Sequence, residues 1–471
     1  FAVTYALFKA GVVPVLIDPG IGPRRMKGCL AEAAPDAFLG VPEALVARAV
    51  LGWAPTARRL ITSGRVSLPG VLTLDDVRDA GGAGRLPSVS SGDPAAVLFT
   101  SGSTGAPKGA VYTHATFAAQ VELLRTTFGI TPGEVDLPTF PLFALFDPAL
   151  GMTTILPQMD ATRPARVDPR EILEPVRRFR VTNLFGSPAL LDRVGRSPVA
   201  LGARLPSLRR VFSAGAPVPA SVMERFARLL PPGAQIFTPY GATEALPVAV
   251  IGSDEVLGET SARTAEGAGV CVGRPVANTR VEIITISDEP IAAWSDALRL
   301  PDGEIGEIVV GGAQVTTAYF RRDEATTLAK IRTPAGETLH RMGDLGYRDP
   351  AGRLWYCGRK SQRVVTARGT LFTDPCEGVF NVHPEVRRTA LVGVKRRGEV
   401  VPVLCVELEA STRGASVERV RRELLALGAA RAITRPIAHV LFHDAFPVDI
   451  RHNAKIFREE LARWAGPRLG P

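Results

Sequence analysis

Phe99-Thr-Ser-Gly-Ser-Thr-Gly-Ala-Pro-Lys-Gly109 concentrates more chemistry than any other stretch of this 471-residue chain. Gly102 and Gly105 let a backbone approach a ligand closely. Free N–H groups in such a loop form an anion-binding nest. Thr100, Ser101, Ser103 and Thr104 add hydroxyls, and Lys108 adds a point charge. The reading is a polyphosphate cradle. The lysine is followed by Gly109, not Ser or Thr, so this is not the common GxxxxGK[ST] loop.

Outward from the loop, the pattern is α/β. A buried strand, Ala95–Thr100, feeds the glycine-rich turn, and Thr113–Thr127 reads as the helix after it. Ligands in such folds bind beyond the carboxyl ends of strands. Strands are expected at Val12–Ile17, Ala37–Leu39, Arg59–Thr62, Val181–Phe185, Arg209–Ser213 and Gln235–Phe237. Arg209–Ser213 runs into the small-residue turn Ala214-Gly215-Ala216-Pro217, with a helix over Pro219–Leu230. From about 270 the pattern turns to short strands and turns, predicting a β-rich portion over 270–357. After 358 βα units return. The expected architecture is therefore a large α/β domain over 1–357, including that β-rich portion, and a small mobile α+β domain over 358–471.

Composition is that of a globular protein: 46% hydrophobic and 22% charged. The chain begins at Phe1 in what reads as an amphipathic helix, so further sequence is expected upstream. Five cysteines, at 29, 271, 357, 376 and 405, are scattered without a CxxC spacing. Reduced thiols in a cytoplasmic protein are expected. The apolar run Phe140–Pro157 contains Asp147 and three prolines, which argues against a spanning helix. The net charge is +9, and residues 358–471 hold 20 Lys and Arg against 12 Asp and Glu. A basic surface of this kind permits peripheral membrane contact. No aromatic-interleaved basic motif points to nucleic acid.

Further motifs follow in order. Tyr240-Gly241-Ala-Thr243-Glu244 offers an aromatic face for a base, a hydroxyl for phosphate and a carboxylate for magnesium. Gly306-Glu-Ile-Val-Val-Gly-Gly312 reads as a strand with tight turns. Arg341-Met-Gly-Asp344 supplies a carboxylate that can accept from two hydroxyls, or else a turn aspartate. Leu354-Trp-Tyr-Cys-Gly-Arg359 reads as a strand ending in a cation. Near the end stands Phe446-Pro-Val-Asp-Ile-Arg-His-Asn-Ala-Lys455.

Together these strings resemble the acyl-adenylate-forming enzymes, a family that includes acyl-CoA synthetases, adenylation domains and luciferases. The resemblance implies ATP and Mg2+ as cofactors. It implies that Thr100–Gly105 and Lys108 wrap phosphates, and that Gly215, Ala216, Pro217, Tyr240, Gly241 and Thr243 bind the nucleotide. Asp344 and Arg359 would take the ribose. Glu244 and Thr104 would hold Mg2+, and Lys455 would be the catalytic lysine. Thr104, Lys108 and Glu244 would join it in catalysis. Lys360 and Ser361 fall at the hinge, where the family usually has an aspartate.

The acyl pocket departs from the family pattern. In Pro141-Leu-Phe143-Ala144-Leu-Phe146-Asp147, alanine replaces a gating histidine and aspartate a glycine. Phe143, Ala144, Phe146, Asp147 and Gly186 are the expected pocket residues, with Ala144 making room for a branched chain. This loop and the Lys455 string resemble the β-lactone synthetases of bacterial long-chain olefin biosynthesis. That subgroup adenylates 2-alkyl-3-hydroxy fatty acids and closes a β-lactone. The resemblance implies as partners the pathway's reductase and β-lactone decarboxylase, in an assembly. Two other readings stand beside it: a long-chain acyl-CoA ligase, and a non-catalytic lipid-binding member of such an assembly.

Overall fold

The structure, a computed structural model, describes residues 2–64, 68–82, 86–100, 106–200, 202–409, 412, 417–448 and 456–469. The chain divides into two compact units, Phe1–Ala119 with Thr316–Lys330, and Gln120–Val315 with Ile331–Pro471.

In the first unit, strand Pro94–Phe99 lies between a parallel partner, Val15–Ile17, and an antiparallel one, Gly109–Thr113. A second small sheet joins Ala37–Gly40, Arg59–Thr62 and Leu72–Thr73, all parallel. Its helices begin as proline dictates: Pro23–Ala33 and Pro42–Leu51 each carry proline in the first turn, where a missing N–H costs nothing. The sequence reading ran the glycine-rich loop directly into a helix. Instead strand Gly109–Thr113, paired antiparallel with Pro94–Phe99, precedes the helix His114–Phe128. Five residues are too few to show a strand's period against the helical run that follows.

The second unit is built on a twelve-stranded sheet. Val135–Pro138, Asn183–Phe185, Arg210–Phe212 and the start of Gln235–Ala242 are parallel neighbours in that order. Antiparallel strands extend the sheet: Ala245–Gly252, Val270–Pro275, Leu354–Arg359, Thr338–Arg348, Gly306–Gly311 and Arg280–Ile284. The stretch 270–357 is thus β-rich and continuous with the parallel strands. Alternation along the parallel strands sends Leu137, Leu184, Val211 and Ile236 to one face. There they meet helices Arg170–Arg178, Pro188–Gly195 and Ala220–Ala227 in one apolar core.

Two further apolar clusters lie wholly within 364–469. They fill the space between a three-stranded sheet (Val386–Arg396, Glu399–Leu408, His439–Phe442) and helices Thr373–Phe380, Val417–Ala429 and Arg458–Ala465. All five cysteines are unpaired and buried. Among the described residues, no helix is long and apolar enough to cross a membrane.

Candidate active site

Asp344 lies within strand Thr338–Arg348, not in a turn, and the antiparallel register sets it opposite Arg359. The guanidinium Nη1 of Arg359 is 2.9 Å from Asp344 Oδ1. The Tyr240 hydroxyl donates to Oδ2 at 2.7 Å. Asp344 is 2% exposed. Burial raises its pKa above the usual carboxylate value, while Arg359 and the Tyr240 hydrogen bond oppose the rise. Despite the ion pair, no hydrogen bond of good geometry reaches Oδ1. A buried oxygen left in this way asks for a donor. Three separate motifs therefore converge on one carboxylate with acceptor capacity to spare, which fits a ribose.

The strand carrying Tyr240 extends to Ala242, so Tyr240-Gly241 is extended chain, and Thr243-Glu244 form the turn into strand Ala245–Gly252. A Cβ on Gly241 would stand 2.6 Å from the Ala245 carbonyl oxygen, so only glycine closes this hairpin. Glu244 acts electrostatically on both Asp344 and Arg359. The Tyr240 ring lies 6.2 Å from that of Tyr356, tilted by 51°.

In the first unit, the ends of the glycine-rich loop are tied together. Thr100 N–H donates to the Lys108 carbonyl at 2.9 Å, and Lys108 N–H donates to Thr100 Oγ1 at 3.4 Å. Lys108 Nζ stands 5.1 Å from the centre of the Tyr319 ring. Ser101, Gly102, Ser103, Thr104 and Gly105 lie outside the described residues, as does Lys455.

The opposite face of the parallel strands, with helix His114–Phe128, encloses a cavity of about 100 Å³. Gln120, Leu124 and Phe128, four residues apart, present one helical stripe to it. Asp136, Asn183, Phe185 and Phe212 face it from the sheet, and Phe143, Phe146, Asp147 and Leu150 line it from the segment between. The lining is apolar except for a few polar groups. Asn183 is satisfied: its amide donates to Glu134 Oε2 at 2.8 Å, and Arg210 donates to its oxygen at 3.2 Å. Gln120 donates to the Leu246 carbonyl at 3.0 Å, but its Oε1 is buried without a partner. Asp136 Oδ1 is in the same condition. Thr154 Oγ1 donates to Asp147 Oδ2 at 2.6 Å. Asp136 and Asp147 both line the cavity and interact electrostatically. Burial, then the neighbouring Asp147, pushes Asp136 well above the carboxylate range, and burial pushes Asp147 up to about 6.

Of the expected pocket residues, Phe143, Phe146 and Asp147 line this cavity, while Ala144 and Gly186 do not. The Ala144 methyl is fully buried, and a Cβ at Gly186 would meet Leu190 and Leu191. Gly215 takes φ 92°, turning the chain at Gly215-Ala216-Pro217, and Ala214 before it reaches the cavity. Gln120, Asp136 and Asn183 were missed from sequence. The available signal was a carboxylate inside the buried strand Val-Asp-Leu-Pro. Lys360 is anchored rather than free: Nζ is 3.2 Å from Glu307 and donates to the Ser287 carbonyl at 2.6 Å. Glu307, read as part of a plain strand, also pairs with Arg341 at 2.7 Å, both nearly inaccessible. Ser361 follows Lys360 in the short 3-10 turn Lys360–Gln362.

The chain is 54% identical over 471 residues to an olefin beta-lactone synthetase of Xanthomonas campestris, covering 99% of this chain and 84% of that protein. A protein of the same name from Stenotrophomonas maltophilia is 54% identical over 476 residues, covering 100% and 85%. A feruloyl-CoA synthase of Amycolatopsis is 30% identical over 412 residues, covering 86% and 76%. The fold matches that of the amide bond synthetase McbA from Marinactinospora thermotolerans, with a TM-score of 0.79 at 24% identity over 98% of this chain and 87% of that one. Residues 1–320 match the family described as AMP-binding enzyme. By that match and by these relatives, the chain belongs to the AMP-binding enzyme family and is an ATP-dependent, acyl-adenylate-forming enzyme.

Proposed function

We propose that this protein adenylates a long-chain 2-alkyl-3-hydroxy fatty acid and then closes it to a β-lactone. The carboxylate attacks the α-phosphate and pyrophosphate leaves. The 3-hydroxyl oxygen then attacks the acyl carbonyl and AMP leaves. The observation that carries this reading is the 54% identity, over essentially the whole chain, to two olefin beta-lactone synthetases. An internal nucleophile suits an adenylate, because the reacting atoms are already held on one molecule.

In this reading Asp344 accepts from the ribose hydroxyls and Arg359 balances its charge. Tyr240 orients Asp344 through the 2.7 Å hydrogen bond. Gly215, Ala216, Pro217, Gly241 and Thr243 border the nucleotide. Thr100–Gly105 and Lys108 hold the phosphates. Glu244 and Thr104 hold Mg2+, which when bound offsets phosphate charge. Lys455 meets the charge that develops at the α-phosphate. Phe143 and Phe146 contact the acyl chain. Residues 358–471 act as a lid hinged at Lys360 and Ser361; their two self-contained apolar clusters support this. A cytoplasmic location and assembly with a reductase and a β-lactone decarboxylase complete the proposal.

The likeness to a CoA-ester-forming relative gives the second reading, an acyl-CoA ligase. Product mass spectrometry separates the two. A synthetic 2-alkyl-3-hydroxy acid is supplied with ATP and Mg2+, with and without CoA. Lactone formed equally in both arms supports the proposal. A CoA thioester and no lactone overturns it.

A further inference from the structure

The cavity beside helix His114–Phe128 sets a chemical condition on its occupant. Asp136 Oδ1 and Gln120 Oε1 are both buried without partners, and both residues line the cavity. Asp136 is 7%, Gln120 3% and Asp147 1% exposed. A buried polar atom without a partner is destabilising. Two such atoms in an apolar cavity form a mismatch if the occupant is plain hydrocarbon. Both unpartnered atoms are oxygens that can accept. Gln120 has one amide N–H committed to the Leu246 carbonyl, while its oxygen and Asp136 Oδ1 are left without a donor. The complementary ligand is therefore an apolar chain that carries a hydrogen-bond donor. On a 3-hydroxyacyl adenylate, the acyl part has one such donor, the 3-hydroxyl.

We infer that the Asp136–Asp147 pair receives this hydroxyl, and that Asp147 is the base for ring closure. The inference rests on the β-lactone reading above. Asp147 is held by the Thr154 hydroxyl, which donates to its Oδ2 at 2.6 Å, so the carboxylate is oriented before substrate arrives. Asp147 opposes the ionisation of Asp136, so the two do not readily ionise together, and a carboxylate charge in an apolar enclosure is a stronger acceptor than in water. Among the described lining residues, no other side chain is ionisable. The nearby charges of Glu134 and Arg210 neutralise each other at 2.7 Å.

The step balances. The 3-hydroxyl proton passes to the Asp147 carboxylate, and the hydroxyl oxygen bonds to the acyl carbonyl carbon. The bond from that carbon to the AMP phosphate oxygen breaks, with its electron pair leaving on AMP. The proton on Asp147 is then lost to solvent, restoring the pair.

The test uses the whole chain and the variants Asp147→Asn and Asp136→Asn, with two acids, a 2-alkyl-3-hydroxy acid and the same acid lacking the hydroxyl. Pyrophosphate exchange reads adenylation, and mass spectrometry of quenched reactions reads adenylate and lactone. Asp147→Asn is expected to slow lactone release from the 3-hydroxy acid roughly 10²–10⁴-fold more than it slows exchange with the same acid, the usual worth of a general base. The 3-hydroxyacyl adenylate should accumulate. Asp136→Asn, which leaves Asp147 in place, should lose less. Unchanged lactone release in Asp147→Asn overturns the assignment. So does an equal loss of exchange with both acids in both variants, which would mark the pair as structural. If the unmodified chain exchanges pyrophosphate but makes no lactone, the β-lactone reading itself fails and takes this role with it.

Discussion

Replacing Asp344 by asparagine removes the charge but nearly preserves the shape, which makes it a sharp probe of the ribose assignment. In the structure the carboxylate has one oxygen committed to Tyr240 at 2.7 Å and the other, Oδ1, without a hydrogen bond and 2.9 Å from the Arg359 guanidinium. Hydrogen bonds to a charged group are worth about 1.5–3 kcal/mol. Losing one of these to a ribose hydroxyl should raise the KM for ATP roughly 10- to 150-fold in pyrophosphate exchange. Part of the loss will come instead from leaving Arg359 without its counter-charge. A double-substitution cycle with 2′,3′-dideoxy-ATP separates the two contributions. That nucleotide has no ribose hydroxyls to lose, so the penalty of Asp344→Asn should shrink to about threefold or less. Melting temperatures of both proteins control for misfolding. Equal penalties with ATP and with the dideoxy nucleotide would show that Asp344 does not bind the ribose, and the orphaned Oδ1 would need another explanation.

Lys455→Ala should slow adenylation on the order of 10²–10³-fold, the cost of deleting one preorganised charge, and Lys455→Arg should not restore it; near-normal pyrophosphate exchange in Lys455→Ala rejects the role. Glu307→Ala leaves Arg341 and Lys360 without a buried counter-charge and should destabilise the chain by about 3–5 kcal/mol in chemical denaturation. A loss below about 1 kcal/mol would mean that water reaches the pair. Ala144→His overfills a fully buried site that does not line the cavity, at a cost of about 1–3 kcal/mol. It should lower kcat/KM for branched and unbranched acids alike, and a loss confined to the branched acid would return Ala144 to the branch pocket.

The nucleotide side of the site was legible in sequence because its motifs are local. Tyr240, Asp344 and Arg359 each sit in a short string whose residue types suggest a role, and the sheet register then brings the three together. The cavity proposed for the acyl chain was not legible in the same way. Its walls come from one turn-to-turn stripe of a helix, Gln120, Leu124 and Phe128, and from the second face of strands whose first face is already the core. Strands buried on both faces lose the alternation that would tell lining from packing. Ala144 shows the consequence. As a small residue beside Phe143 it had the same claim to the cavity as its neighbours, and only the pitch of the short turn Phe143–Phe146 points its methyl into the protein. Asp147 was noticed because it departs from the glycine usual in related chains. Its partner Asp136, eleven positions earlier in a different element, had no such flag. Yet a carboxylate between Val135 and Leu137 is costly to bury without purpose. Asp147 discourages ionisation of Asp136, which lowers that cost, because only one of the two need carry charge. Burial raises Asp147 to about 6 against the Thr154 hydrogen bond, while Asp136 is pushed well above the carboxylate range, so Asp147 is the readier of the two to carry the charge. The device that makes the pair tolerable in the core is thus also the one that would let it take a proton from a substrate hydroxyl.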